Sequence, residues 1–144
     1  MLKGRRKPSP LLSLLHLLHR AGQRADGLFA QHLGSDDLTP RQLMVLQAVD
    51  ENEGLSQVDI MAATGIDRSS VTDLVRRLVK QGLLRRRRQK RDTRLYAVRL
   101  TPEGRKALTT GAPAAASAEA DLMKAVLPGQ RQEFLRILMT MAGQ

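Results

Sequence analysis

With 144 residues, 42% of them hydrophobic and 26% charged, the chain has the size and composition of one globular domain and is too short for two enzyme-sized units. Its formal charge of +10 argues for a polyanionic partner, nucleic acid ahead of an acidic membrane surface, because Lys and Arg that neutralise phosphates release condensed counterions. The lack of cysteine excludes disulfides, thiolate zinc sites, iron–sulfur clusters and thiol-based peroxide sensing, and no apolar run approaches the ~20 residues of a membrane span. Phe29, Phe134 and Tyr96 are the aromatics, so the core has to be aliphatic, which favours helices.

Residues 1–10 read as a basic arm. Lys3, Arg5, Arg6 and Lys7 precede a leucine-rich stretch and no acid occurs before Asp26, which superficially imitates a secretory signal. His16, His19 and Arg20 interrupt the apolar run and the leucines repeat at helical spacing, so a folded helix behind the arm is the better reading. The arm itself is either a disordered tail or a contact to DNA phosphate. Leu11, Leu14, Leu15 and Leu18 follow the i, i+3, i+4, i+7 pattern of one helix face, and Leu12 and Leu17 widen it beyond what one interface needs. The expectation for residues 11–37 is a helix wrapped by a second copy of the chain, ending at the loop of Gly34, Ser35, Asp36 and Asp37.

Thr39-Pro40 supplies an N-cap hydroxyl and then a residue whose missing N–H costs nothing at the first helical position. Leu43, Leu46 and Val49, with Met44 and Val45, make the apolar side of that helix, and Asn52, Glu53 and Gly54 end it. Ser56 caps a short helix with Asp59 in the capping-box position; Gly65 supplies the positive φ of a sharp turn, Ile66 packs in it and Asp67 caps again. Two short helices on a tight glycine turn describe a helix-turn-helix, whose second helix enters the major groove. There Val71, Leu74, Val75 and Leu78 share one face and leave Ser69, Thr72, Asp73, Arg76 and Lys80 on the other. Arg76 can bond a guanine edge, serine and threonine can bond bases or phosphates, and the first-turn N–H groups near Arg68 and Ser70 suit phosphate. An ordinary solvated helix face has the same pattern, so on the residues alone the two readings stand level.

Gln81-Gly82 stops this helix, and Leu83-Leu84 leads an extended segment into the four arginines at 85–88. After a polar turn from Gln89 to Thr93, Tyr96, Val98 and Leu100 alternate with Leu95, Ala97 and Arg99 at strand period. A β-hairpin directly after a helix-turn-helix is a wing. From Asp67 to Arg94 there are eleven Lys and Arg against three acids, so +8 of the +10 lies in this window. Strand alternation sends about half of the arginine run toward phosphate. The candidates for contact with DNA are Arg86 and Arg88, with Arg91 in the turn and Arg77 and Lys80 on the helix.

Thr101 caps and Pro102 opens a long helix, in which Pro113 predicts a bend near Thr109 and the surrounding glycine and alanines permit close helix approach. Leu122, Met123, Val126 and Leu127 resume an apolar face, and Pro128 starts a last helix with Phe134, Leu135, Leu138, Met139 and Met141. These residues and the leucines of the first helix form the expected dimer interface.

Asp92-Thr93-Arg94 followed by Val98-Arg99-Leu100-Thr101-Pro102-Glu103-Gly104, with Gly82-Leu83-Leu84 before them and Leu38-Thr39-Pro40-Arg41-Gln42 further upstream, resembles the MarR family of bacterial winged-helix transcription regulators. The resemblance covers most of the chain but not the arm before Pro8. It implies a homodimer whose first and last helices intertwine, two winged lobes in consecutive major grooves, and wing tips in the minor groove. Arg94 matches the family's wing arginine and Asp92 the acid that holds it; a narrow minor groove attracts an inserted guanidinium. The family's effector pocket lies between the dimerisation helices and the winged lobe, where His16, His19 and Arg20 could line it and Arg20 suits a carboxylate or phosphate.

The expected architecture is mainly α with a small β-wing: a winged helix-turn-helix over residues 38–100, flanked by dimerisation helices at 11–37 and 101–144. No catalytic residues, metal site or cofactor are expected. There is no P-loop, no dinucleotide-binding glycine pattern and no cysteine nucleophile, the three histidines lack an obvious set of partner carboxylates, and the His16–His19 spacing as a metal pair is the weaker use of those residues. The chain is thus expected to be a cytoplasmic, nucleoid-associated, homodimeric regulator. It would bind a palindromic operator in double-stranded DNA, touch no membrane, and act as a repressor released by a small-molecule effector, an aromatic acid or an acyl-CoA-like anion. The alternative is a non-sensing architectural protein that coats nucleic acid through charge.

Overall fold

The computed structural model describes residue 9, residues 13–92 and residues 95–144. Helix α1 spans Leu14–Leu33, with Ser13 as its N-cap: the Ser13 Oγ accepts from the His16 N–H at 3.2 Å. Leu11 and Leu12, expected to begin this helix, lie outside the described residues, as does all of the arm except Ser9. Helix α2 (Pro40–Glu51) starts at a full capping box, because Gln42 returns its Oε1 to the Thr39 N–H at 3.0 Å while its own N–H donates to the Thr39 Oγ1. Helices α3 (Gln57–Thr64) and α4 (Arg68–Lys80) follow, joined at Gly65 with φ +69°, the left-handed conformation that glycine alone adopts without steric cost. The Ser56–Asp59 box and the Asp67 cap form as the residue types predict.

Strands β1 (Leu84–Arg88) and β2 (Tyr96–Leu100) pair antiparallel with Leu84 opposite Leu100 and Arg88 opposite Tyr96. Leu55, just before α3, adds a short bridge on the far side of β2, where the Val98 N–H donates to its carbonyl at 2.8 Å. Helix α5 (Pro102–Met123) then leaves the hairpin, and a 3-10 turn (Pro128–Gln130) opened by the anticipated proline leads into α6 (Arg131–Met141). Helix α5 runs unbroken through Pro113. No helix among the described residues is long and apolar enough to cross a membrane.

The core is aliphatic, as the composition required. Val45, Leu46, Ile60, Val71, Val75, Leu78 and Val98 are fully excluded from solvent and join the two helices of the turn, α2 and the hairpin into one cluster. Each such side chain stabilises the fold by roughly 1.5–3 kcal/mol relative to exposure. Met44, grouped by sequence with the apolar side of α2, is 43% exposed, because it points away from this cluster. Tyr96 is likewise 41% exposed: the pleat of β2 buries Val98 at the base of the hairpin, and Tyr96 lies beyond the core's edge.

Two glycines allow α5 to close on its neighbours. A Cβ on Gly104 would collide with the Leu83 carbonyl oxygen, and one on Gly111 would stand 2.7 Å from Leu43 Cδ1 and 3.0 Å from Leu38 Cδ2. Gly111, Ala114 and Ala118 form a buried small-residue seam on α5, which lies along α1 and also packs on α2. Phe29 closes the same cluster from α1. The outer ends are different. Helix α6 buries nothing, and Leu14, Leu15, Leu17 and Leu18 on α1 face solvent together with Phe134, Leu135, Ile137, Met139 and Met141 on α6.

Candidate nucleic-acid interface

The apolar stripe of α4 fixes what its other side presents. With Val71, Val75 and Leu78 buried and Leu74 half-buried, the helix turns Arg68, Ser69, Thr72, Asp73 and Arg76 outward around an open trough of about 830 Å³. Arg77 and Lys80 continue the exposed face into the last turn, where cations also complement the helix dipole.

The hydroxyls at the start of the helix are already engaged. Asp67 accepts from the Ser70 N–H at 3.0 Å, from Ser69 Oγ at 2.8 Å and from Ser70 Oγ at 2.7 Å. These donors, with the Ser70 hydroxyl first, hold the Asp67 carboxyl well below the usual carboxylate range. The Ser70 N–H, assigned by sequence to phosphate, therefore faces a capping carboxylate, and Ser70 itself is half-buried. Ser69 and Ser70 keep lone pairs that can accept from base amino groups. Thr72 Oγ1 donates to the Arg68 carbonyl at 2.9 Å and lies 3.2 Å from Gln57 Oε1, which brings the first residue of α3 into the face; nothing in the sequence singled out Gln57.

Asp73 pairs with two arginines at once: Arg76 Nη2 lies 2.6 Å from its Oδ1 and Arg77 Nε lies 2.9 Å from its Oδ2. The Arg76 hydrogen bond, followed by the nearby positive charge, holds the Asp73 carboxyl below its ordinary value.

On the hairpin, residues 85–88 of β1 are all exposed. The register puts Arg86 and Arg88 on the face of Val98 and Tyr96, and Arg85 and Arg87 on the opposite face with Arg99 and Ala97. Arg88 places its guanidinium carbon 5.5 Å from the centroid of the Tyr96 ring, a cation–π contact that steadies its long side chain. The Leu95 carbonyl accepts from the Gln89 N–H at 2.8 Å, closing the tip, with Arg91 exposed and Asp92 half-buried within it. Arg94, and with it the expected Asp92–Arg94 contact, lies outside the described residues. The helix and the hairpin meet in one hollow of about 490 Å³, lined by Gln57, Val58, Met61, Arg68, Thr72, Leu95 and Tyr96 among others.

The candidate effector residues occupy the exposed part of α1, with His16 half-buried and His19 and Arg20 open to solvent. Arg20 and Arg24 line a groove of about 590 Å³ along the helix with Leu17 and Leu28; His16 and His19 are not among its walls. His32 has the carboxylate partner that sequence did not offer: its Nε2 lies 2.7 Å from Asp121 Oδ2 and ties α1 to α5. Chain separation of 89 residues hid that pair. Among the described residues no three His, Asp or Glu side chains are grouped as a metal ion would require.

A model of the MarR family matches residues 36–95, from the start of α2 through the helix-turn-helix to the first strand of the hairpin and its turn. The transcriptional repressor CouR, solved bound to a 23-mer DNA duplex, is 30% identical; the superposition covers 96% of this chain and 99% of CouR with a TM-score of 0.79. The chain belongs to the MarR family. Two further regulators of similar fold agree over nearly their whole length. BpsR of Bordetella bronchiseptica, whose DNA binding is regulated by 6-hydroxynicotinic acid, is 29% identical over 96% of this chain and all of BpsR, with a TM-score of 0.83. PcaV of Streptomyces coelicolor, solved in complex with its natural ligand, is 25% identical over 96% of this chain and 98% of PcaV, with a TM-score of 0.87. As a MarR-family member the chain is a DNA-binding transcriptional regulator, a class defined by binding rather than catalysis.

Proposed function

We propose that this MarR-family chain acts as a homodimeric repressor of a palindromic operator, released by a small anionic effector. Each α4 enters a major groove, with Arg68, Ser69, Ser70, Thr72 and Arg76 toward bases or nearby phosphates and Arg77 and Lys80 on the backbone. Arg86, Arg88 and Arg91 supply phosphate affinity from the wing, and Arg94, steadied by Asp92, probes the minor groove. The observation that carries this assignment is the shared hollow: Arg68 and Thr72 of the helix and Leu95 and Tyr96 of the hairpin border one space, so both elements engage the same stretch of duplex.

The exposed leucines of α1 and the apolar side chains of α6 support dimerisation through residues 11–37 and 101–144, since apolar patches of this extent on a monomer mark an interaction site. A two-fold assembly would present two reading helices to two half-sites. The effector assignment draws on BpsR, whose DNA binding is regulated by 6-hydroxynicotinic acid, and on the arginines of the α1 groove, where Arg20 and Arg24 suit a carboxylate; His16 and His19 lie on the same helix outside the groove's walls. Release follows from linkage: the ligand weakens DNA binding by as much as it prefers the state that cannot bind DNA.

Selection of a preferred duplex from a random pool, followed by fluorescence anisotropy with competitor DNA across a salt series, tests the assignment. A palindromic site should survive salt that strips a phosphate-only binder. Arg76→Ala should relax discrimination at one position of each half-site, whereas Arg86→Ala should weaken every sequence alike and reduce the salt slope by about 1. Equal losses on all sequences from both variants would instead establish a charge-driven architectural coat. Calorimetry with aromatic carboxylic acids and acyl-CoA thioesters tests the effector, and absence of heat from all of them alongside intact operator binding removes it.

A further inference from the structure

We propose that Asp73 sets the specificity of the reading helix by clamping Arg76 and Arg77, which suppresses sequence-independent binding to DNA more than it affects the operator. The inference rests on the assignment of the polar face of α4 to the major groove. Asp73 is the one acid in α4, in the middle of a face that has to approach a polyanion. A carboxylate there subtracts from electrostatic attraction, so affinity is not what it serves. Stability is no better a reason, because the Arg76 and Arg77 side chains it holds are 73% and 65% exposed and such pairs contribute little to folding.

Its geometry offers a third role. Each carboxylate oxygen takes a different arginine, Oδ1 the Nη2 of Arg76 and Oδ2 the Nε of Arg77. A guanidinium has five N–H donors in a fixed plane, so Arg76 held through one of them still presents Nη1 and the second Nη2 hydrogen to a guanine edge, already oriented. Arg77, held at Nε along the helix surface, keeps its Nη groups for the one phosphate its place on the helix allows and cannot swing to the others that a free arginine would reach. Direct readout keeps its donors while the counterion-releasing contacts are reduced in number.

The test is anisotropy of the full chain on its selected operator and on a random duplex of equal length, over a salt series, for wild type, Asp73→Asn and Asp73→Glu. Asparagine keeps the volume and removes the charge. It should raise affinity for the random duplex by roughly tenfold and steepen its log–log salt slope by about 1 per freed guanidinium. Operator affinity should move by less, so the specificity ratio falls, and Asp73→Glu should restore the wild-type slope. An unchanged ratio and slope in Asp73→Asn overturns the proposal. So does a loss confined to one operator base pair with the slope unchanged, which would make Asp73 itself a base contact. Arg76→Ala on the same duplexes separates the two levels. If it leaves discrimination intact, the assignment of the α4 face has failed. If it relaxes discrimination while Asp73→Asn does nothing, only the role of Asp73 has failed.

Discussion

The winged head and the terminal helices are made from the same aliphatic residues and end in opposite conditions. In the head, Val45, Leu46, Val71, Val75, Leu78 and Val98 lose all contact with solvent inside a single chain. In α1 and α6, Leu15 stays 80% exposed, Leu135 50% and Met139 57%. Helix α5 joins the two regions: its small-residue seam buries Phe29 and packs on α2, while its far end carries the His32–Asp121 and Lys124–Asp121 pairs and a half-buried apolar surface. A head complete in itself can be carried as a rigid body by helices that another surface has to complete. In the dimer proposed above, that division separates the reading of DNA from the spacing between two heads, and the following substitutions can break it or make it sharper.

The largest effect belongs to the head. Leu78→Ala removes a fully buried side chain between α4 and the hairpin, and thermal denaturation should show a loss of about 2–5 kcal/mol. On α6, Ile137→Glu with Leu135→Glu adds charge to positions already open to solvent, so the head should keep its circular dichroism. Sedimentation should nevertheless show a shift to monomer, and operator affinity should fall by more than about tenfold as the two half-sites uncouple. A variant that stays dimeric, or that melts the head, contradicts the division. Smaller again is Gly104→Ala: the added Cβ meets the Leu83 carbonyl, so α5 has to move off the base of the hairpin at a cost of about 1–3 kcal/mol. Hydrogen exchange should place the loosening in β1 and the start of α5.

The same division governs how far the sequence could be read. Helix starts at Thr39, Ser56, Asp67 and Thr101 were legible because a cap depends on residues within three positions of each other, and the structure makes each one. The buried faces of α2 and α4 followed from periodicity, and the hairpin from alternation after Gly82. What sequence missed is long-range: the Leu55 bridge to Val98, the approach of Gln57 to Thr72, and the pairing of His32 with Asp121. Asp73 was placed on the correct face, but its grip on both Arg76 and Arg77 depends on rotamers, which spacing alone leaves open. The glycine of the Leu100-Thr101-Pro102-Glu103-Gly104 motif was noticed only by resemblance; its physical reason, a backbone oxygen where a Cβ would sit, needed the fold.

The smallest expected effect concerns acid, and its sign follows from the caps. Asp59, Asp67 and Asp73 in the head and Asp121 and Glu133 in the terminal helices all have carboxyls held below their ordinary values by donors to the charged form. A depressed folded value means that the stabilisation is fully present above the unfolded carboxylate pKa near ~4 and is lost as pH falls through the folded value. Melting temperature should therefore hold steady from neutral pH down to about 5 and decline below about 4. Asp67→Asn isolates one contributor, because asparagine still caps a helix and should leave stability at neutral pH nearly unchanged while making the acid decline shallower. Asp121→Asn should do the same through the His32 and Lys124 contacts. If the head is complete in a single chain, the Asp67 effect should be equal in the dimer and in the Leu135→Glu, Ile137→Glu monomer. An Asp67 effect that vanishes in the monomer would mean that the cap of the reading helix depends on the second copy, and the head would no longer count as a self-sufficient unit.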